Sequence, residues 1–279
     1  MNKKDDLFNM KSLKKKHDFK ITRSEESFIV YLFSKVPKNL YFIEIDHNKK
    51  SKYELKINFD PFNIIYSIDN KEIIKLNPEE YLHFEDFRKY KEQETESNSS
   101  VRLDFKYLDA NNLFGLPERA SDIELSDTEG NDLYRLFNID KFIYSRDKAL
   151  GLYGSIPFIL GLSHDNSIIS GLIWNNPSET YVKLKTTEDE ATGKNNREVI
   201  WISETGIIDI SLFADSNINN FYFKMHKYIG FASLPPASAL GYHQSRWNYK
   251  STSDLMGVDK LFDHYDIPYD SIWLDIEVI

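Results

Sequence analysis

The sequence alternates strictly between apolar and polar residues over two segments, residues 53–59 and residues 101–107. A period of two places every second side chain on the same face, which predicts strands with one buried face. Eight other short apolar runs are also predicted strands: Phe28–Phe33, Tyr41–Ile45, Ile64–Ile68, Ile156–Leu162, Ile168–Trp174, Tyr181–Leu184, Val199–Ser203 and Ile207–Phe213. Many short strands with turn residues between them, and few helices, predict a mainly β chain that forms a large antiparallel sandwich.

Polar segments precede and interrupt this β-rich region. Residues 1–25 are rich in lysine, and we expect a mobile or weakly ordered lead-in there, followed by the sandwich domain at residues 26–220. Residues 89–100 and 186–198 lack apolar periodicity, so they are predicted to be exposed loops or hairpin tips. Asn98 begins an Asn-x-Ser acceptor pattern, which is relevant only if the chain enters the secretory route.

The pattern changes after residue 220. Residues 221–229 are predicted to form a helix, and Ala239–His243 a strand. Ser251–Tyr265 has apolar residues at helical spacing, with Ser251 or Ser253 as its cap. Ser271–Ile276 is predicted to be a strand buried on both faces of a parallel sheet. One strand–helix–strand unit leaves unpaired strand edges, so we expect the second domain, residues 221–279, to be incomplete.

Composition excludes several functional classes. The 279 residues include no cysteine, which excludes disulfides, cysteine-ligated zinc, iron–sulfur clusters and a cysteine nucleophile. A formal net charge of -9 argues against a nucleic-acid partner. No apolar run approaches the roughly 20 residues of a membrane span, and no signal peptide is recognisable. The seven histidines lack metal-ligand spacing, so we expect no metal.

Seven sequence blocks point together to one family. They are Asn112–Arg119 (NLFGLPER), Leu133–Asp140 (LYRLFNID), Leu152–Pro157 (LYGSIP), Ile200–Glu204 (IWISE), Leu234–Pro236 (LPP), Leu240–Trp247 (LGYHQSRW) and Ile267–Glu277 (IPYDSIWLDIE). In this order they resemble the α-glucosidases of glycoside hydrolase family 31. The first and last blocks are most similar to the catalytic α subunits of the glucosidase II group in that family.

The resemblance implies a fold and a mechanism. Members of the family carry a galactose-mutarotase-like β-sandwich followed by a (β/α)8 barrel, so this chain would contain the sandwich and the first strands of an incomplete barrel. The reaction is retaining and uses two aspartates, with neither metal nor organic cofactor. The resemblance places both aspartates on later barrel strands, beyond residue 279, so no catalytic residue is expected here. The Trp-x-Asp-Met-x-Glu segment that surrounds the nucleophile is absent from the chain.

Four residues match substrate-contacting positions of the family. Asp275 is similar to the aspartate that accepts hydrogen bonds from hydroxyls of the terminal glucose, and Trp247 is similar to the tryptophan that walls the same subsite. Asp140 and Phe142 match the loop that the sandwich extends over the barrel mouth. Without the resemblance, structural roles would be the better interpretation for all four. Glu277 lies two residues after Asp275, and the family pattern gives it no catalytic role.

The resemblance also implies partners and a compartment. The substrate would be an oligosaccharide or N-glycan with terminal α-linked glucose, a glucosidase II β-like subunit is a possible partner, and the compartment would be the lumen of the endoplasmic reticulum. Two alternatives stay open. One is a non-catalytic carbohydrate-binding or interaction module, and the other is a family member with a different α-glycoside substrate.

Overall fold

The computed structural model describes residues 18–23, 28–33, 52–84, 100–128, 132–141, 146 and 150–276. The chain forms two compact units, the first up to Tyr228 and the second from Ile229 onward. The strands of the first unit are β1 Asp18–Arg23, β2 Phe28–Phe33, β3 Tyr53–Phe59, β4 Phe62–Ile68, β5 Lys71–Leu76, β6 His83–Phe84, β7 Val101–Tyr107, β8 Ala110–Gly115, β9 Tyr134–Leu136, β10 Phe158–Ser163, β11 Ile169–Trp174, β12 Thr180–Glu188, β13 Asn195–Ser203 and β14 Ile208–Asp215. Helix α1, Ile218–Ile229, lies at the junction, and the second unit contains β15 His243–Gln244, α2 Thr252–His264 and β16 Ser271–Ile272.

The first unit is a sandwich of two antiparallel sheets, as the alternating pattern predicts. One sheet has the order β1-β2-β14-β11-β10-β8. The other has the order β3-β4-β5-β7-β13-β12-β9, with β6 paired to β7. The hairpin turn between β4 and β5 places both Asp69 and Asn70 at positive φ, a backbone geometry that suits the twist of a two-residue hairpin. The apolar core is composed of residues from both sheets.

Two stacked tryptophans connect the sheets at the centre of this core. Trp174 of β11 and Trp201 of β13 are fully buried, with ring centroids 5.7 Å apart. Trp174 Nε1 donates to Ser203 Oγ on β13 at 2.9 Å, and the Ser203 hydroxyl also bonds to Thr180. Phe105 of β7 meets Trp174 edge to face. Among the described residues, Trp201 Nε1 has no acceptor.

Helix α1 packs on the outer face of the six-stranded sheet. Its buried residues, Phe221 and Met225, join a second apolar cluster with Leu160, Ile173 and Phe213. The helix is also held by an ion pair between Lys224 and Asp215, the residue that ends β14. Burial opposes the charge on Asp215, yet the contact with Lys224 leaves the pKa of this carboxyl below its usual value.

The second unit is one parallel strand pair with its connecting helix. β15 and β16 pair with His243 opposite Ser271 and Gln244 opposite Ile272. Ser251 caps α2, because its side chain accepts a hydrogen bond from the Asp254 amide.

Asp270 connects the starts of the two strands through two hydrogen bonds with Tyr242, and we call this pair of bonds the Asp270 latch. Asp270 Oδ2 accepts from the Tyr242 amide at 3.0 Å, and the Asp270 amide donates to the Tyr242 carbonyl at 2.9 Å. A Cβ on Gly241 would lie only 1.7 Å from Asp270 Oδ2, so this close approach requires glycine.

The structure corrects one prediction for the first unit and narrows the bounds of another. Residues 18–23 of the predicted lead-in form β1, paired antiparallel with β2. Its Asp-Phe-Lys-Ile-Thr-Arg sequence alternates, but a single short run inside a lysine-rich segment is a weak signal. Residues 186–198 contain a hairpin tip, one of the two predicted alternatives, but the irregular part is shorter than predicted, since β12 continues to Glu188 and β13 begins at Asn195. Backbone hydrogen bonds extend this hairpin without apolar side chains.

The strands predicted for the second unit are also shorter in the structure. Residues 237–240 form a 3₁₀ turn after Pro235-Pro236, so the predicted strand at 239–243 begins only at His243. The predicted strand at 271–276 is a strand only at Ser271–Ile272, and it is not buried on both faces. Trp273, Leu274 and Ile276 are exposed, because within the part of the chain that the structure describes β16 pairs only with β15.

Besides β1, four short strands were not predicted from the sequence: β5, β6, β8 and β9. They have mixed composition and depend on neighbours that are distant in sequence, as β9 does on β12. Residues 1–17, 41–45 and 89–99 lie outside the described residues, so the predictions made there are not addressed by the structure.

The two core tryptophans should differ in their contribution to stability. Trp174→Phe removes a hydrogen-bond donor as well as ring volume, whereas Trp201→Phe removes similar volume and a buried N–H without an acceptor. We expect both variants to lower the free energy of unfolding. The loss in Trp174→Phe should exceed the loss in Trp201→Phe by about 1–2 kcal/mol. Urea unfolding followed by circular dichroism measures the difference, and equal losses would show that the Trp174–Ser203 bond contributes nothing.

Two glycines of the second unit provide a matched pair. Gly241→Ala should break the Asp270 latch and remove hydrogen-exchange protection at the Tyr242 amide, because the new Cβ would occupy the position of the carboxylate. Gly257 lies within α2 with open space around its Cβ position, so Gly257→Ala should stabilise the helix by about 1 kcal/mol. Amide hydrogen exchange tests both variants, and unchanged protection in Gly241→Ala would mean that the latch is dispensable.

Candidate functional site

The candidate site residues of the second unit follow the carboxyl ends of paired parallel strands. Trp247 lies three residues beyond the end of β15, and Asp275 lies three residues beyond the end of β16. The strands are in register, and the Trp273 amide continues the pairing by donating to the Gln244 carbonyl at 3.0 Å. The two predicted binding residues therefore each stand three residues after the carboxyl end of one of two paired parallel strands.

The exposure of these two side chains suits ligand binding. Trp247 is 61% exposed, so a face of its indole is open to solvent. Asp275 is half-buried, and its Oδ1 accepts a hydrogen bond from the Ile276 amide at 2.8 Å. A carboxylate has about four acceptor positions, so one backbone contact orients the group and leaves capacity for ligand hydroxyls. Glu277 lies outside the described residues.

A chain of hydrogen bonds supports the segment that carries Trp247. Tyr242 donates to Gln244 Oε1 at 2.6 Å, and Gln244 Nε2 donates to the hydroxyl of the buried Tyr249 at 2.9 Å. The Gln244–Tyr249 bond spans the turn in which Trp247 stands. Tyr242 and Tyr249 were not predicted from the sequence as supporting residues.

His243 provides a second support, at the strand pair itself. Its Nδ1 accepts from Trp273 Nε1 at 2.9 Å, so its Nε2 carries the proton and donates to the Ser238 carbonyl at 3.1 Å. This geometry joins β15 to the residue that follows β16. The register of the two strands, which the sequence does not reveal, is the signal that would have identified this pair.

Asp140, the third predicted site residue, lies on a loop of the first unit. It is exposed and follows Ile139, whose amide donates to the Leu152 carbonyl at 2.8 Å. Interaction with the Asp140 carboxylate raises the pKa of the Tyr153 hydroxyl above its ordinary value. Phe142, the fourth predicted residue, lies outside the described residues.

Arg119 anchors the base of this loop region. Its Nε donates to the Leu116 carbonyl at 2.7 Å, and its terminal nitrogen donates to the Arg135 carbonyl at 3.0 Å. The guanidinium also lies over the Tyr134 ring, 4.9 Å from its centroid. Burial lowers the pKa of Arg119 to about 10, which leaves the group charged at neutral pH.

The chemistry that these groups offer is recognition of a polar ligand with an apolar face. In residues 245–250 and 273–276, which directly follow β15 and β16, Asp275 alone carries a carboxylate. No group of three or more potential metal ligands occurs among the described side chains. A search of the described helices found none that is long and apolar enough to cross a membrane.

Comparison with known proteins identifies the family. Residues 3–182 match the glycosyl hydrolase 31 N-terminal galactose mutarotase-like domain, and residues 232–279 match the glycosyl hydrolase family 31 TIM-barrel domain. The first match covers more than half of the chain. It agrees with the observed sandwich, and the second match begins near the start of the second unit.

Individual relatives agree with this assignment. The glucosidase 2 subunit alpha of Schizosaccharomyces pombe is 30% identical over 84% of this chain and 28% of its own length. A crystal structure of a glucosidase II alpha subunit bound to alpha3-Glc2 superposes with a TM-score of 0.72, at 30% identity, over 93% of this chain and 30% of that one.

A further structure contains the catalytic subunit of ER glucosidase II with the binding domain of its regulatory subunit. It superposes with a TM-score of 0.71, at 30% identity, over 93% of this chain and 30% of that chain. The present chain thus spans about 30% of the length of these relatives. With its sandwich and its first barrel strands both matched, the chain belongs to glycosyl hydrolase family 31.

Proposed function

We propose that this chain supplies the sandwich and part of the glucose-binding site of a retaining α-glucosidase that removes terminal α-linked glucose from oligosaccharides. The observation that carries the proposal is the position of Trp247 and Asp275 at the carboxyl ends of two paired parallel strands. In (β/α)8 barrels the active site is built at this end of the strands. The similar glucosidase II alpha subunit that binds alpha3-Glc2 supports glucose as the sugar.

The proposed roles follow from the chemistry of each side chain. Asp275 accepts hydrogen bonds from sugar hydroxyls, and such charge-assisted bonds discriminate strongly against sugars that lack the hydroxyl. The exposed indole of Trp247 packs against the C–H face of a pyranose ring. By the family pattern we also propose that Asp140 and Phe142 contribute to sugar binding, with Asp140 accepting a hydrogen bond from a sugar hydroxyl.

The partner and compartment of the proposed enzyme follow from its relatives. A glucosidase II catalytic subunit forms a heterodimer with the binding domain of a regulatory subunit, and that complex is described as an ER enzyme. We propose the same kind of partner, N-glycan substrates and the lumen of the endoplasmic reticulum for this chain.

Binding of an α3-linked glucose disaccharide tests the role of Asp275. We expect Asp275→Asn to weaken binding by about tenfold or more, because a hydrogen bond to a charged group contributes roughly 1.5–3 kcal/mol. Isothermal titration calorimetry of the purified chain measures the dissociation constant. Asp263→Asn is the matched control, since it makes the same change on an exposed face of α2. Equal affinity in wild type and Asp275→Asn would refute the assignment.

Hydrolysis of an aryl α-glucoside tests whether residues 1–279 suffice for catalysis. A retaining glycosidase needs two carboxylates about 5 Å apart. Asp275, a proposed sugar-binding group, is the single carboxylate in the described segments that directly follow β15 and β16. We therefore expect the purified 279-residue chain to release no aglycone above the buffer rate. Turnover abolished by Asp275→Asn would instead assign chemistry to that residue.

A further inference from the structure

We propose that Tyr249 is a positioning residue that holds the indole of Trp247 in place for a sugar ring. The inference rests on the proposed sugar-binding role of Trp247 and adds a residue to which the family pattern described above assigns no role. Tyr249 is 6% exposed, whereas Trp247, two residues earlier, is 61% exposed. The turn that contains both residues therefore buries one aromatic side chain and presents the other to solvent.

The side chain of Gln244 closes this turn. Gln244 ends β15, and its Nε2 donates to the hydroxyl of Tyr249, five residues later, at 2.9 Å. The Tyr242 hydroxyl donates to Gln244 Oε1 at 2.6 Å, so the oxygen and the nitrogen of the amide are both engaged. An amide that is bonded at both atoms has a defined orientation. It therefore directs its N–H group at the Tyr249 hydroxyl, which burial of the ring holds in place.

Backbone groups anchor both ends of the turn. The Gln244 carbonyl accepts from the Trp273 amide at 3.0 Å, which connects the first end to the residue after β16. The Lys250 amide donates to Asp254 Oδ2 at 3.0 Å, which connects the other end to the first turn of α2. The side-chain bond across the turn thus spans a short segment whose ends are already held. Such a segment has few conformations available to it, and Trp247 lies within it.

The backbone of Asn248 is independent evidence that the turn is held in one conformation. Its φ is 111°, and it lies between Trp247 and Tyr249. Asparagine enters the left-handed region more readily than most residues, near a φ of about 57°, but 111° lies well outside that region. Strained residues of this kind persist where their surroundings determine the backbone, and they cluster at functional sites. The strain at Asn248 directly follows the residue that presents the indole.

The closed turn has a consequence for sugar binding. An exposed side chain loses freedom of movement when it binds a ligand, and this loss reduces affinity. An indole whose backbone is already held loses less freedom when it packs against the C–H face of a pyranose ring. Removal of the Tyr249 hydroxyl leaves the Gln244 N–H group without its acceptor and loosens the turn. It should therefore weaken sugar binding through Trp247 and through no other group.

A double-mutant cycle, measured by isothermal titration calorimetry of the purified chain, tests this coupling. We expect Tyr249→Phe to weaken binding of the α3-linked glucose disaccharide about fivefold in the wild-type background, and to have no further effect in the Trp247→Ala background. Tyr269→Phe is the matched control, because it removes another tyrosine hydroxyl bond of the second unit, to Asp259. Equal effects of Tyr249→Phe in both backgrounds, or none in the wild type, would overturn the inference.

The mobility of the Trp247 indole gives a readout that does not depend on sugar. In ¹H–¹⁵N NMR spectra, the indole resonance lost in Trp247→Ala belongs to this residue. Its heteronuclear NOE should fall in Tyr249→Phe, because the turn loosens, while that of Trp273, held by His243, should stay unchanged. An unchanged NOE at Trp247 would overturn the inference, and so would an equal fall at Trp273, which would show general loosening of the second unit. Where Trp247→Ala abolishes measurable binding, this comparison decides.

Failure of the proposed function would look different. If the wild-type chain does not bind the disaccharide, the proposed glucose-binding role is wrong and the positioning role of Tyr249 falls with it, even where the NOE of Trp247 changes as expected. If Asp275→Asn weakens binding but Trp247→Ala does not, the role of Trp247 is refuted, and the role of Tyr249 with it. If both weaken binding and Tyr249→Phe does not, only the inference about Tyr249 is overturned.

Discussion

Trp174 joins the two sheets of the sandwich by stacking, by an edge-to-face contact and by a hydrogen bond. It belongs to the six-stranded sheet, while Trp201, Phe105 and Ser203 belong to the eight-stranded one. The rings exclude water from the centre of the core, and the hydrogen bond to Ser203 fixes the relative position of the sheets along their strands. Asp140 lies on the connection between β9 of one sheet and β10 of the other, so the position of this connection depends on that alignment.

The sequence predicted the sandwich well because its signal is local. Residues 53–59 and 101–107 alternate over a whole strand, and each forms a strand with the predicted bounds. β9 has only three residues and is fixed by pairing with β12, so no local pattern reveals it. In the second unit, the apolar run at 271–276 suggested a long buried strand, but the strand ends where pairing with β15 ends. Hydropathy reports what a segment can bury, and pairing decides what it does bury.

The candidate site shows the same limit. Trp247 and Asp275 were predicted by resemblance, and the structure adds that each follows the carboxyl end of one of two paired parallel strands by three residues. The contacts of His243 with Trp273 and of Gln244 with Tyr249 join residues distant in the sequence or separated by a turn. They rely on hydrogen bonds between specific atoms, which follow no periodicity. Support of a site is therefore visible in three dimensions and not in the sequence pattern.

The pairing of β2 with β14 has a consequence for synthesis of the chain. Ile29 pairs with Ser211, about 180 residues later, so the β1–β2 hairpin has no sheet to join until β14 has been made. At roughly 5–20 residues per second, that interval is on the order of 10–40 s on the ribosome. During this time β2 presents one unpaired edge, the kind of surface that chaperones shield. Strands β1 and β2 thus reach their final neighbour long after their own synthesis, and closure of the six-stranded sheet is set by the arrival of β14.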